Sequence, residues 1–68
     1  MATIYEKVGE NIRRFRKKQG LTQEKLAELS KIDPKSIIQI ENGKRNPTLK
    51  TLRRIALALK TPISKLMD

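Results

Sequence analysis

The feature that most constrains the fold is a very short break between two segments with helical periodicity. The earlier segment covers about residues 22–30 and the later one about residues 33–42. A connection of about three residues is too short for a relaxed hairpin, so the two predicted helices must cross at a steep angle. Ala27 agrees with this geometry, because a small side chain on the earlier helix lets the later helix approach closely.

Capping signals mark where the predicted helices begin and end. Good N-cap residues precede three of the predicted helices: Thr22, Asp33 and Thr48. Pro34 suits a first helical position, and Asn42-Gly43 is a typical left-handed helix stop. No stretch alternates apolar and polar residues over a useful length, as a strand would. The sequence therefore predicts an all-α fold, a compact bundle of five short helices in a single domain over residues 1–68.

Apolar residues at helical spacing predict the core. In chain order they are Ile4, Val8, Ile12, Phe15, Leu26, Leu29, Ile37, Ile40, Leu49, Leu52, Ile55, Ala56 and Leu59. Gly9 lies inside the first predicted helix, where glycine costs about 1 kcal/mol relative to alanine. We therefore expect a close packing contact at Gly9.

A last short helix, opened by Pro62, carries the apolar residues Ile63, Leu66 and Met67. These are too many apolar groups for a single-turn helix to hide against the small core of so short a chain. We expect some of them to form a two-fold seam between two copies, which makes the protein a homodimer.

The balance of charge favours a nucleic-acid partner. Sixteen Lys and Arg residues against seven Asp and Glu residues give a net charge of +9, and the isoelectric point is about 10.4. A value above about 9 is expected of a nucleic-acid-binding domain. The excess is unevenly placed, in three stretches: "RRFRKK" at residues 13–18, "GKR" at residues 43–45 and "KTLRR" at residues 50–54. Composition alone leaves two alternatives open: binding to an acidic lipid surface, and a charge that serves only solubility.

Several classes of function lack the residues they need. The chain has no Cys and no His, which excludes disulfides and the usual zinc sites. It has no glycine-rich phosphate loop either, so we expect neither catalysis nor a cofactor, and no small-molecule effector is evident. No apolar run approaches the roughly 20 residues of a membrane span, and the N-terminus lacks an apolar signal region. We expect a cytoplasmic protein without a membrane partner.

Two longer stretches carry a resemblance to a known family. "GLTQEKLAELS" at residues 20–30 and "IENGKRNPTLKTLRRIALAL" at residues 40–59 resemble the Cro/repressor-type helix-turn-helix family. The matching residues are Gly20, Leu21, Thr22, Gln23, Leu26, Ala27, Ile32, Ile37, Ile40, Glu41, Asn42, Gly43, Arg45, Pro47, Leu52, Ile55, Ala56 and Leu59. The likeness covers nearly the whole chain, and a stand-alone chain of this length is similar to restriction–modification controller proteins.

This resemblance implies a lambda-repressor-like DNA-binding domain and a sequence-specific regulator of transcription, a repressor or an activator. Its partner would be double-stranded DNA, with a palindromic operator bound by a homodimer and the later helix of the pair in the major groove. The resemblance also implies that Gln23 contacts phosphate and braces this recognition helix. It pairs Arg16 with Glu41, tying the recognition helix to the bundle. It places three residues of the following loop against the DNA backbone: Asn42, Lys44 and Arg45.

The chain departs from the family pattern at two positions. The family usually has Gly in the turn between the two helices, where this chain has Lys31. If that position has a positive φ, lysine there costs roughly 1 kcal/mol or more. The second departure is Ile38, where the family generally carries a polar residue such as Ser. This change bears on which bases are read rather than on the fold.

The outward face of the recognition helix predicts how bases are read. On a helical wheel Ile37 and Ile40 face the bundle, and Lys35, Ile38 and Gln39 face outward. In the major groove Gln39 can pair bidentately with adenine, Lys35 can donate to guanine, and Ile38 can pack on a thymine methyl group. We expect these three residues to read bases. The alternative for Ile38 is packing against the second helix or a dimer partner.

Two other classes of function fit the same fold. One is the DNA-binding half of a partnered system, such as an antitoxin that also grips a protein. It usually needs an extra toxin-binding segment, and none is expected before Asp68. The other is a protein-interaction module that retains the fold without reading DNA, with Ile38 in a protein contact. Lys44 and Arg45 beside the recognition helix favour a DNA-binding regulator over this module.

Overall fold

The computed structural model of the chain describes residues 3–68, and the first two residues of the expected domain lie outside this part. Its elements are α1 (Ile4–Lys18), α2 (Gln23–Ser30), α3 (Pro34–Glu41), α4 (Leu49–Ala58) and α5 (Ile63–Met67). The described residues contain no strand, so the predicted all-α fold is confirmed. Helices α2 and α3 are slightly shorter than the expected ranges, which included capping residues. No helix in residues 3–68 is both long and apolar enough to cross a membrane.

Side-chain caps fix where the four longer helices begin. The three predicted N-caps each accept a hydrogen bond from a backbone N–H of the first turn: Thr22, Asp33 and Thr48. Helix α1 begins with a capping box in which Thr3 and Glu6 bond reciprocally. The N–H of Thr3, and after it the Thr3 side chain, hold the pKa of Glu6 below its usual value, because both favour the charged carboxylate.

Buried apolar residues from all five helices form one core. They are Val8, Ile12, Leu26, Ala27, Ile37, Ile40, Leu52, Ile55, Ala56, Leu59 and Leu66. Phe15 and Ile63 pack against this cluster and are partly buried. Most of the predicted core positions are therefore confirmed.

Three residues predicted for the core are exposed instead: Ile4, Leu29 and Leu49. Ile4 and Leu49 are the first residues of α1 and α4, where a helix end projects past the core. Leu29 is exposed because the buried residues of α2 are Leu26, Ala27 and Ser30. At about 100° per residue, the centre of that face lies roughly 100° away from Leu29.

Gly9 is buried where α1 packs against the end of α3. A Cβ atom at this position would overlap the carbonyl oxygen of Ile40 and would lie 2.8 Å from that of Glu41. The predicted close contact at Gly9 is confirmed, and it sets how closely the backbones of α1 and α3 approach.

Each of the four longer helices is followed by a residue with positive φ. These residues are Gly20, Lys31, Gly43 and Lys60, with φ values of 70°, 57°, 72° and 54°. The predicted left-handed stop at Gly43 is confirmed, and Lys31 does occupy a left-handed position in the turn between α2 and α3. The sequence reasoning did not single out Lys60, which follows α4 in the same way.

Candidate nucleic-acid interface

The connection between α2 and α3 is a tight turn held by backbone hydrogen bonds. The left-handed conformation of Lys31 lets the N–H of Ile32 donate to the Ala27 carbonyl at 2.9 Å. The Ile32 side chain packs against the core, and Asp33 caps α3 directly afterwards. The buried methyl group of Ala27 leaves room for α3, which packs across α2.

A buried ion pair ties the end of α3 to α1. Arg16 Nε donates to Glu41 Oε2 at 2.7 Å and Arg16 Nη2 donates to Glu41 Oε1 at 3.1 Å, in a bidentate arrangement. Gln23 Nε2 donates to the same Oε1 at 3.1 Å, and Arg16 Nη1 donates to the Leu21 carbonyl at 2.7 Å. The pair that the resemblance implied is therefore present. Together these bonds link the end of α3 to α1, to α2 and to the connection between α1 and α2, and so they fix the position of α3.

The solvent-facing side of α3 carries the three predicted base-reading residues. Lys35 is exposed, Gln39 is partly exposed, and Ile38 exposes 43% of its surface. Ile37 and Ile40 are buried on the opposite side, as the helical wheel predicted. Ile38 therefore does not belong to the core, although it is a large apolar residue.

The loop after α3 folds back over this face. Arg45 Nη1 donates to Ser36 Oγ at 2.7 Å and makes a longer contact of 3.5 Å with Gln39 Oε1. Asn42 and Lys44 are exposed beside it. The sequence reasoning missed Ser36, which lies three residues before Gln39 and thus on the same side of the helix. Its spacing was a usable signal, but the reach of Arg45 from the loop depends on the fold.

The charges on this face are not neutralised within the described chain. The ion pairs between residues 3 and 68 are the buried Arg16–Glu41 pair and the exposed Lys25–Glu28 pair. Lys35, Lys44 and Arg45 take part in neither. The same part of the chain contains no cluster of three side chains of the types that ligate metal ions. The chemistry available at this face is thus hydrogen bonding, cationic attraction and apolar contact.

The residues predicted for a dimer seam lie in three different environments. Leu66 is fully buried, and its carbonyl accepts a hydrogen bond from Asn11 Nδ2 at 3.0 Å. It is part of the core of one copy, so its assignment to a seam is wrong. Ile63 is partly buried and Met67 is exposed. Between them lies Leu49, which lines one surface hollow with Ile63 and a second with Met67, and which exposes 75% of its surface.

These features define a helix-turn-helix protein: two short helices crossing at a tight turn, the second braced from behind and presenting a polar and basic face. Comparison with known proteins agrees. The model of the helix-turn-helix family matches residues 12–66 of this chain. The chain therefore belongs to the helix-turn-helix family, of the Cro/repressor type that its motifs resemble.

Similar proteins come from several bacteria, and the share of their length that this chain covers differs. The chain is 42% identical over 64 residues to control protein C.SmaI of Serratia marcescens, covering 94% of this chain and 76% of that protein. It is 41% identical over 63 residues to the HTH-type transcriptional repressor RghR of Bacillus subtilis, covering 91% of this chain but 47% of the repressor. The solved structure of the restriction-modification controller protein C.AhdI from Aeromonas hydrophila superposes with a TM-score of 0.89 at 35% identity. That alignment covers 91% of this chain and 94% of C.AhdI.

Proposed function

We propose that this DNA-binding transcription regulator binds a palindromic operator as a homodimer, with α3 of each copy in the major groove. The observation that carries the proposal is the outward face of α3, which is free of core contacts while its other side is held by the buried Arg16–Glu41 pair. A rigidly held helix with exposed hydrogen-bonding groups suits base recognition, since misplacement of the helix would cost contacts with every base.

Three residues of this face are assigned to base reading. Lys35 donates to guanine acceptors, and Gln39 pairs with adenine through its amide. Ile38 packs on the methyl group of a thymine, a contact for which a serine at this position would have no methyl group. The exposure of Ile38 supports this assignment, because α3 presents the side chain to solvent on the same side as Lys35.

Four further residues are assigned to the DNA backbone: Gln23, Asn42, Lys44 and Arg45. The last two supply positive charges that no acidic residue between positions 3 and 68 neutralises. Arg45 lies against Ser36 on α3, so its guanidinium stands close to the residues that read bases. Contacts of this kind supply affinity and orientation, and base contacts supply specificity.

The homodimer is assigned to an apolar surface around the start of α4 and the exposed side of α5. Ile63 and Met67 are kept from the sequence-based prediction, Leu66 is removed because it is buried, and Leu49 is added. Leu49 adjoins both retained residues, so the three make one continuous surface that a second copy can cover. Such a surface explains why a leucine that the core does not need is 75% exposed.

We also propose that the protein acts in the cytoplasm and without catalytic activity. The relatives named above come from bacteria, whose DNA lies in the cytoplasm. The chain has no His and no Cys, so general acid–base and thiol chemistry lack their usual groups.

The salt dependence of duplex binding tests the assigned backbone contacts. For wild type, log affinity should fall linearly with log salt concentration, with a slope of about 0.9 per phosphate contact. Arg45→Ala should flatten this slope by about one unit and weaken binding to all duplexes alike. The matched control is Lys65→Ala, which removes an exposed charge from α5, a helix that packs on α1 and α4 rather than on α3. An unchanged slope for Arg45→Ala, or an equal change for the control, would remove Arg45 from the DNA backbone contacts.

A further inference from the structure

A second surface feature lies between the C-terminal ends of α2 and α4. It is an open groove with two exposed leucines, Leu29 and Leu57, whose exposed fractions are 48% and 68%. Three basic residues line it as well: Lys31, Arg54 and Lys60. We call these five residues the basic groove. None of them is among the residues assigned above to DNA or to the dimer, although Leu57 also lines the hollow that Leu49 and Ile63 share.

The backbone of the basic groove is strained at two points. Lys31 and Lys60 are the two non-glycine residues with positive φ in residues 3–68, and both line this groove. The equivalent stops after α1 and α3 are glycines, Gly20 and Gly43, which adopt this conformation without strain. Lysine is disfavoured in the left-handed region, and residues held there cluster at functional sites. Lys31 and Lys60 therefore bring two cationic side chains to the groove at positions where glycine would fit the backbone with less strain.

The charges of the basic groove are free to meet a ligand. Lys31, Arg54 and Lys60 take part in neither ion pair of the described chain. A second copy of this chain carries sixteen basic residues and seven acidic ones, so it offers few carboxylates to the three cations of the groove. DNA phosphates would pair with the basic residues but would leave the exposed Leu29 and Leu57 without apolar contacts. Leucines flanked by cations match a ligand that carries apolar groups between acidic ones.

We propose that the basic groove binds an acidic amphipathic helix of a partner protein. Leucine-type side chains of that helix contact Leu29 and Leu57, and its carboxylates meet the three cations at the rim. This is a helix-in-groove mode of recognition with charge complementarity. Since the groove shares no residue with the proposed DNA face, the regulator can hold DNA and the partner at the same time. The proposal goes beyond DNA binding and does not depend on which operator is read.

A synthetic helical peptide with leucines at i and i+4 and glutamates on both flanks tests the proposal. We expect it to shift the amide NMR signals of residues 29–31 and 54–60, whereas a peptide with lysine in place of each glutamate should not. Leu29→Ser should weaken binding about tenfold, the effect of losing one apolar side-chain contact. The absence of shifts at these residues, or equal shifts with the lysine peptide, would overturn the proposal.

The double variant Lys31→Gly, Lys60→Gly makes a sharper test, because it relieves strain and so should fold. We expect its Tm to rise by roughly 4 °C or more, its affinity for the acidic peptide to fall, and its affinity for duplex DNA to stay within about twofold. The double variant Lys17→Ala, Lys18→Ala removes two exposed charges from the end of α1 and serves as the control for net charge. If the double variant binds the peptide as wild type does, or loses DNA affinity instead, the groove does not have this partner.

Discussion

At the scale of single residues, Ile38 combines an apolar side chain with a position on the exposed side of α3. Helix α3 already buries Ile37 and Ile40, and these complete its contribution to the core. No residue between positions 3 and 68 covers Ile38 enough to bury it, so its apolar surface is available to a ligand. A thymine methyl group is the one apolar feature that the major groove offers.

Ile38→Ser separates this role from a packing role. Because Ile38 is not in the core, the free energy of unfolding should change by less than about 0.5 kcal/mol. The preference for thymine over uracil at one position of a bound duplex should shrink by up to about 1 kcal/mol, the scale of one buried methyl group. Urea denaturation and competition between thymine and uracil duplexes measure the two effects. A mutant that melts lower with its base preferences intact would assign Ile38 to packing instead.

At the scale of helices, the contact between α1 and α3 depends on a missing side chain. Gly9→Ala places a methyl group against the backbone carbonyls of Ile40 and Glu41, which cannot move without displacing α3. We expect it to lower the free energy of unfolding by about 1–3 kcal/mol, as overpacking does. In an open helix the same change would raise stability by about 1 kcal/mol. The sign of the change in the free energy of unfolding, measured by chemical denaturation, therefore shows whether the contact is close. A stabilised variant would contradict the close contact.

The same two helices are joined by the Arg16–Glu41 pair. Arg16→Ala leaves the buried Glu41 carboxylate without its cation and should cost about 3–5 kcal/mol. The matched control is Lys25→Ala, which breaks the exposed pair with Glu28 and should cost about 1 kcal/mol or less. Thermal unfolding of both variants gives the comparison. Equal, small effects would mean that the buried pair does not hold α3 in place.

At the scale of the whole molecule, local signals predicted more than long-range packing did. The N-caps at Thr22, Asp33 and Thr48 were identifiable because a cap depends on a few neighbouring residues. The exposure of Leu29 and the burial of Leu66 could not be identified from the sequence, because each depends on which other helix lies alongside.

The candidate site likewise has a part that could be predicted from the sequence and a part that could not. The wheel placed Lys35, Ile38 and Gln39 on one face of α3, and the resemblance supplied the Arg16–Glu41 pair. Helical periodicity describes a single helix, so it carries no information on a loop that folds back. The bond from Arg45 to Ser36 therefore emerged with the structure.

Assembly of two copies is tested at the apolar surface around α4 and α5. Leu49→Glu adds a charge to an exposed residue, so it should leave the protomer folded but favour monomers in sedimentation experiments. Leu66→Glu, by contrast, places a charge in the core and should unfold the chain. Circular dichroism distinguishes the two outcomes. A Leu49→Glu variant that sediments as wild type does would place the seam elsewhere.

Selection of bound duplexes from a random pool at moderate salt tests the central claim, that α3 of two copies reads DNA sequence, most directly. Two recognition helices related by a two-fold axis should enrich a palindrome whose half-sites lie about 34 Å, one helical turn, apart. Selection with Lys35→Ala or Gln39→Ala should relax the preference at one position of each half-site. A pool that remains random, or that enriches a single asymmetric half-site, would contradict sequence reading by a symmetric dimer.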